Sequence, residues 1–250
     1  MTTQTTTDRA AAKRQRLLAY TQWTEQLCRE EPGARSALRS GLRRSVNDRQ
    51  TQRMHRFIAP WLPENSLGAG AEQRAYYAVA AMIAAQPRSG SATTDASKPL
   101  TEHDTGGATA AGPAAESAAE PAAKPKEPQR YGRSLGMAFA TAVTSGPGRE
   151  KAMRESTAEA RLNLLTRQSI DGLHRHLPAA VGYLRGLDVP VDWAQLLSDL
   201  IAWPDHCGSI SRRWLQDYYR QRSADAREQA NHSDLEEAAR EETDQPEADG

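Results

Sequence analysis

Hydrophobic residues recur at helical spacing along most of the chain. Between Arg14 and Cys28 the apolar side chains predict a first helix that ends before Pro32. A second apolar run predicts an alanine-rich helix over roughly 71–86. Val/Ile-rich alternation, the usual sign of a strand, is absent. The pattern therefore predicts an all-α fold.

Between these two helices, apolar and basic positions run side by side. Three apolar residues follow at i, i+4 and i+8: Leu38, Leu42 and Val46. Arginines have the same spacing on a neighbouring stripe: Arg35, Arg39 and Arg43. This pattern predicts one helix that buries its leucines and displays its arginines.

The C-terminal half shows the same helical period. The apolar positions that predict core-facing helices are Leu162, Leu165, Leu173, Leu177, Val181 and Leu184. Asp192 followed by Gln195 resembles a capping box and predicts a helix that Pro204 ends. On the last helix we interpret Trp214, Tyr218 and Tyr219 as core residues rather than as stacking platforms.

Composition divides the chain into five parts. Residues 87–129 contain no aromatic residue and a single large apolar residue, Leu100, so they bury too little surface to fold. We predict two packed helical-bundle subdomains joined by a long disordered linker. The predicted boundaries are a disordered N-terminus (1–12), an N-terminal subdomain (13–86), the linker (87–129), a C-terminal subdomain (130–224) and an acidic disordered tail (225–250).

The formal net charge of zero hides a strong asymmetry. Residues 225–250 contain ten Asp/Glu and two Arg, so they carry −8 and residues 1–224 carry +8. Residues 35–56 alone hold seven arginines and one carboxylate, Asp48. Such a charge run is either a solvated helix face or a nucleic-acid surface, and charge alone leaves the two equally favoured.

Arginine predominates over lysine in these basic regions, which suits bidentate contact with phosphate. No base-reading motif accompanies the arginines, so contact with the nucleic-acid backbone is the favoured mode. The candidate nucleic-acid-binding residues are Arg35, Arg39, Arg43, Arg44, Arg49, Arg53, Arg161, Arg167, Arg175, Arg212 and Arg213.

Motifs for catalysis, cofactors and metals are weak. The chain has no phosphate-binding glycine loop and no Cys-x-x-Cys pair. His174 and His176 are interpreted as surface residues, Ser145–Gly148 as a loop rather than a phosphate nest, and Asp199 lacks a partner that would mark it as an acid or base. We expect no enzyme activity, no cofactor and no metal.

The compartment is predicted from two further features. Cys28 and Cys207 form no close-spaced motif, and no secretory signal or membrane span is visible. We therefore expect reduced thiols in a cytoplasmic protein that does not contact a membrane.

Several blocks, in order, resemble the CasB family, the small subunit of the type I-E CRISPR Cascade effector complex. They are GARSALR (33–39), WLP (61–63), RSLGMAFA (133–140), EARLNLLTRQSIDGLHRHL (159–177), VPVDWAQLLSDLIAW (189–203) and RRWLQDYY (212–219). The resemblance implies an all-helical, non-catalytic subunit of an antiviral complex. The implied partners are the backbone and large subunits, a second copy of the chain, the CRISPR guide RNA and target DNA, chiefly the displaced non-target strand of the R-loop.

Only some residues of this chain match the basic positions of the family. Arg39, Arg161 and Arg167 match basic positions of the family. Ser40, Ile170 and Pro178 stand where many members have a basic residue or a Leu-Arg pair. Arg43, Arg44 and Arg175 are inferred to compensate, and this inference rests on their charge rather than on the family pattern.

Two other classes of function compete with a nucleic-acid-binding subunit. The first is a helical adaptor protein whose arginine face binds acidic protein partners. The second, less favoured, is a hydrolase that uses the histidines or Asp199.

Overall fold

The computed structural model describes the backbone of residues 2–63, 70–87, 132–144 and 151–243. These ranges contain helices and no strand, which confirms the predicted all-α class. The α-helices are α1 (Thr2–Glu30), α2 (Pro32–Arg39), α3 (Gln52–Ile58), α4 (Gly70–Ala84), α5 (Leu135–Val143), α6 (Glu155–Thr166), α7 (Ile170–Gly186) and α8 (Trp193–Thr243).

The break between α1 and α2 follows from Pro32. Glu31 is extended (φ −117°, ψ 99°), as expected for a residue before proline, and Pro32 occupies the first turn of α2, where its missing N–H costs nothing. α1 packs on α4, and the buried Tyr20 hydroxyl donates to the Tyr76 carbonyl at 2.9 Å. This hydrogen bond satisfies a polar group inside the core.

The single arginine-displaying helix predicted over residues 35–46 is wrong beyond Arg39. α2 ends there, and residues 40–48 form turns in which Arg43 has a positive φ of 60°. The buried Thr51 hydroxyl holds these turns by donating to the carbonyls of Val46 (2.7 Å) and Asp48 (2.6 Å). Leu42 is only half-buried, so the apolar stripe offers too little surface to continue the helix.

Side-chain caps start the helices of the C-terminal half. Asp192 Oδ1 accepts a hydrogen bond from the Gln195 backbone N–H at 2.9 Å, as the predicted capping box requires. Ser134 and Ser169 cap α5 and α7 in the same way. α5 then packs so closely on α8 that a Cβ at Gly136 would lie 1.8 Å from the Trp214 carbonyl oxygen. Only glycine permits this approach.

The helix that was predicted to end at Pro204 breaks two residues later, where α8 consists of two helices that meet at a kink. α8 continues to Thr243 with a kink, where His206 has non-helical angles (φ −131°, ψ 21°). Proline removes one backbone hydrogen bond and crowds the preceding turn, which bends a helix when packing holds both sides. Trp203 and Trp214, whose ring centroids are 5.2 Å apart across this bend, are both fully buried and hold it.

The two helical halves share one core. α1 and α4 pack against α8, and the buried apolar residues of residues 2–87 and 132–243 form one continuous cluster. The chain on both sides of the predicted linker falls in one compact unit. Two packed helical halves are therefore confirmed, while the proposed subdomain boundaries stay a prediction.

Helix occurs within both termini that were predicted to be disordered, and the boundaries of these two segments stay predictions. Residues 2–12 belong to α1, and residues 225–243 extend α8. The C-terminal extension is rich in Ala, Glu, Gln and Arg, which have high helix propensity, and it grows from a helix already nucleated by packing. Of the predicted linker only Pro87 lies within the described residues, and residues 244–250 also lie outside them.

Candidate nucleic-acid interface

Most of the predicted arginines reach solvent. Eight are exposed, and in seven of these the guanidinium group makes no hydrogen bond or ion pair with another residue that the structure describes: Arg39, Arg43, Arg49, Arg53, Arg167, Arg175 and Arg212. They come from both halves of the chain. An exposed guanidinium without an internal partner keeps its donors for an external acceptor.

Two predicted arginines have partners within the fold. Arg35 is half-buried, and its guanidinium donates to the carbonyls of Ala84 (3.0 Å) and Gln86 at the C-terminal end of α4. Arg213 forms an ion pair with the buried carboxylate of Asp199. These contacts satisfy helix-end carbonyls and a buried charge, so we assign both residues structural roles.

Two further arginines have partial partners. Arg44 pairs with Asp48 at 3.3 Å on the surface, a geometry that constrains the side chain only weakly. The Arg161 guanidinium lies 4.5 Å from the centroid of the Tyr183 ring. This stacking leaves the edge donors of Arg161 available while orienting its plane.

Arginines from both halves meet in one cleft. Its volume is about 320 Å³, and it lies between the turns of residues 41–45, α4 and α7. Four arginines line it: Arg43, Arg44, Arg74 and Arg175. Among the described residues of its lining, Asp171 is the only carboxylate, and it forms an ion pair with Arg74 across the two halves. The hydrogen bond and charge of Arg74 hold the pKa of Asp171 below its usual value.

His174, predicted to lie on the surface, is instead buried in the wall of this cleft. Its exposed fraction is 7%, and its Nε2 has no hydrogen-bond partner among the described residues. Burial, helped by the positive charge of Arg74, lowers the pKa of His174 to about 4. The imidazole is therefore neutral at pH 7 and adds no positive charge to the cleft.

The structure shows the surroundings of Asp199 and of the two cysteines. Asp199 Oδ2 accepts from the Trp214 indole N–H at 2.7 Å and Oδ1 accepts from the Gln195 amide at 2.8 Å, so this carboxylate anchors the core. Within the described ranges, no group of three or more His, Cys, Asp or Glu is placed to hold a metal ion. Cys28 is buried and Cys207 exposed, and neither forms a disulfide. The Ser145–Gly148 loop lies outside the described residues.

Arg74 is the cleft residue that the sequence analysis missed. It lies in the alanine-rich helix that was interpreted as a packing element, four residues before Ala78 of the same cleft wall. A lone arginine in so apolar a helix was the available signal. Among the described helices, none is both long and apolar enough to cross a bilayer.

Comparisons with known proteins identify the family. A model of the CRISPR-associated protein Cse2 family matches residues 34–219. Two structures titled CRISPR RNA-guided surveillance complex, one of them pre-nicking, each contain a chain 31% identical to this one with a TM-score of 0.63. Each match covers 86% of this chain and 98% of the other.

A third structure supports the fold alone. It is the crystal structure of a Cse2-family CRISPR-associated protein from Thermus thermophilus, which is 20% identical with a TM-score of 0.52, over 81% of this chain and 97% of that one. No curated protein matches the chain. The family model covers most of the chain, in agreement with the resemblance of its sequence blocks to the type I-E small subunit, and the chain therefore belongs to the Cse2 family.

Proposed function

We propose that this protein is a non-catalytic small subunit of a type I-E CRISPR RNA-guided surveillance complex. In this role its exposed arginines hold the nucleic-acid backbone and stabilise the R-loop, chiefly the displaced non-target strand. The observation that carries the proposal is the set of seven exposed arginines without partners among the described residues, on a chain of the Cse2 family.

Physical considerations favour backbone contact for this surface. In RNA-guided recognition, base pairing with the guide reads the sequence, and the strand exchange is nearly balanced in free energy. A subunit that binds the displaced strand through phosphates shifts that balance toward the open state without any base contact. Arginines without a base-reading element suit this task.

The proposed partners follow from the same role. They are the backbone and large subunits of the complex, a second copy of this chain, the guide RNA and the target DNA. The matched chains come from surveillance complexes and are similar over nearly their whole length. Two positions inferred from the family, Arg39 and Arg167, are exposed in this chain and free to make such contacts.

A helical adaptor with acidic protein partners is the second candidate. Its support is that guanidinium groups bind carboxylates as well as phosphates. The two functions differ in salt dependence: binding of single-stranded DNA releases condensed counterions, with a log–log slope of about −0.7 for each phosphate contacted.

The test measures binding of the full-length chain to a labelled oligothymidylate across a salt series. We expect binding whose affinity falls linearly with the logarithm of salt concentration. Arg39→Ala combined with Arg167→Ala should reduce the slope by about 1.4, the loss of two phosphate contacts. A double variant of exposed arginines outside the candidate set, Arg29→Ala with Arg220→Ala, removes the same charge and serves as the control.

Assembly is tested in parallel by co-expression with the remaining effector subunits and a guide RNA. The chain should co-purify with them, and the Arg39/Arg167 variant should assemble normally but retain the displaced strand poorly. If the wild-type chain binds no single strand, either alone or in the complex, the proposed function is wrong.

A further inference from the structure

We propose that the cleft lined by Arg43, Arg44, Arg74 and Arg175 is a discrete phosphate-binding site, which seats one phosphodiester of single-stranded DNA. Before phosphate binds, Asp171 forms an ion pair with one of these arginines, Arg74. This inference rests on the proposed function and assigns part of it to one defined place, at the junction of the two helical halves.

The cleft concentrates positive charge in a confined space. Four arginines line a cleft of about 320 Å³, and Asp171 and Asp48 pair with two of them, Arg74 and Arg44, so the site keeps a net positive charge from Arg43 and Arg175. Charges in such a concave site interact more strongly with a ligand than charges on an open surface, because protein replaces part of the surrounding water. The cleft therefore favours an anion.

The second argument concerns the kind of anion. The described lining contains no Phe, Tyr or Trp, so it offers no platform on which a base would stack. The volume lies at the low end of the range for ligand sites, which fits a phosphate with part of its sugar. Planar, forked guanidinium groups match the oxygens of a phosphate. These properties point to backbone rather than base recognition.

The third argument is the placement of the arginines. Arg43 lies in the turns after α2 with a φ of 60°, a backbone region that a non-glycine residue seldom adopts. The turns that fix it are held by the Thr51 hydroxyl, while Arg175 comes from α7 and Arg74 from α4. The turns after α2, helix α4 and helix α7 thus each contribute at least one arginine to the same cleft.

The fourth argument is the Arg74–Asp171 ion pair. The Asp171 side chain is 76% exposed, so this pair is accessible to solvent and is expected to be weak. A phosphate carries more acceptor oxygens than a carboxylate and competes for the same guanidinium. The geometry points to an exchange in which Arg74 leaves Asp171 for the phosphate. The buried Nε2 of His174 has no hydrogen-bond partner among the described residues, so the cleft wall contains an unsatisfied polar group.

The test uses the full-length chain and a labelled 20-nucleotide oligothymidylate, a length of about that of the guide-paired target. Asp171→Asn removes the competing carboxylate, and we expect about two- to fivefold tighter binding, the range set by a solvent-exposed ion pair. A gain of affinity cannot result from unfolding. Asp205→Asn, at an exposed position outside the cleft, makes the same charge change and should have a smaller effect.

Two loss-of-binding variants complete the test. Arg43→Gln with Arg175→Gln should weaken binding and reduce the salt slope by about 0.7, the loss of one phosphate contact. The Arg29→Ala, Arg220→Ala double variant is its charge-matched control. Ala78→Leu fills the cleft without changing any charge and should weaken binding as well. Ala85→Leu, at a partly buried position outside the cleft lining, controls for the added bulk.

The outcomes separate this inference from the proposed function. Tighter binding by Asp171→Asn together with weaker binding by Ala78→Leu supports a built site. If the wild-type chain binds the strand and both variants bind it with the same affinity, the cleft proposal is wrong. The proposal of a general arginine surface is unaffected by that result. Failure of the wild-type chain to bind the strand overturns both. Replacing chloride by sulfate at constant ionic strength should weaken strand binding by the wild-type chain, because sulfate competes for the cleft. The Arg43/Arg175 variant should not show this loss of affinity. An equal loss in both proteins would also contradict the cleft.

Discussion

At the scale of single residues, the same side-chain type has different roles according to what the fold places beside it. Arg35 donates to the carbonyls at the end of α4, whereas Arg39, one helical turn later, is exposed and makes no contact of this kind with the described residues. His174 and His176 are two residues apart, but only His174 is fully enclosed. Sequence spacing identified the charged stretches, and the neighbours decided which members are free to bind.

His174 gives a prediction about stability at mildly acidic pH. Its pKa is about 4 in the folded chain and about 6.5 when unfolded, so between these values the unfolded state binds more protons. Stability is therefore retained above pH 6.5 and lost as the pH falls toward 4. The linkage relation gives a loss of roughly 2 kcal/mol at pH 5 relative to pH 7.5 from this residue.

The measurement is urea unfolding at these two pH values. His174→Gln should lose less stability on acidification than wild type, by about that amount. His232→Gln replaces an exposed histidine and should behave like wild type. An equal pH effect in the His174 variant would show that this imidazole is not held neutral by burial.

At the scale of secondary structure, the chain ends and bends its helices where local chemistry and packing agree. α2 ends at Arg39 because the Thr51 hydroxyl stabilises the following turns. The two helices of α8 meet at a kink at His206, just after Pro204, and the tryptophans on either side of this kink are buried in the core. Residues 226–237 of the same helix are exposed and contain four Asp/Glu against one Arg, so charge rather than burial sets their influence.

The acidic end of the chain is predicted to compete with nucleic acid for the arginine surface. Residues 226–250 contain nine Asp/Glu and two Arg. Deleting them should tighten non-specific binding to single-stranded DNA, most clearly at about 50 mM salt and less at about 200 mM, where charges are better screened. The deletion begins after Asp225, because this residue accepts a hydrogen bond from Thr144 at 2.6 Å and pairs with Arg222.

A second variant controls for chain length. It keeps residues 226–250 but replaces their acidic residues by Asn or Gln, and its affinity should rise as in the deletion. Unchanged affinity in both variants would show that the acidic end does not mask the basic surface.

At the scale of the whole molecule, the two halves are joined by one core rather than by a linker alone. α1 and α4 pack on α8, and Arg14 of α1 donates to Gln195 at 3.2 Å near the start of α8. Gln195 also accepts from the Gly132 backbone N–H at 2.9 Å, where the described chain resumes after the linker region. The proposed strand-binding surface includes arginines from both halves, and it needs this rigidity to keep their relative positions fixed.

The shared core predicts one cooperative unfolding transition. The N-terminal half contains Trp23 and Trp61, and the C-terminal half contains Trp193, Trp203 and Trp214. Trp23→Phe with Trp61→Phe leaves tryptophan fluorescence only from the C-terminal half, while circular dichroism reports on all helices. Both signals should give the same denaturant midpoint in that variant, as for a two-state protein.

Two separate midpoints would contradict the shared core and would restore the picture of independent subdomains. Wild type, with all five tryptophans, is the control, since the two replaced side chains are only partly buried.

Much of the fold was predictable because it depends on local spacing. The helical period, the capping role of Asp192 and the burial of Trp214 and Tyr218 were all predicted from near neighbours in sequence, and the structure agrees. Tyr219, predicted to be core, is 48% exposed, because it follows Tyr218 directly and two adjacent helical residues face different directions. The arginine-rich surface was predictable as a composition but not as a set of contacts.

By itself, the sequence determined an all-helical class, a basic chain with an acidic end and the resemblance to one family, since these depend on composition and on spacing along a helix. Only the tertiary structure decided that α2 stops at Arg39, that Arg35 and Arg213 are internal, and that Arg74 joins Arg43 and Arg175 in one cleft. Each of these outcomes depends on groups that other parts of the chain supply: Arg74 and Asp171, for example, are 97 residues apart. Helical periodicity specifies which face of a helix is buried, but not which distant element covers it.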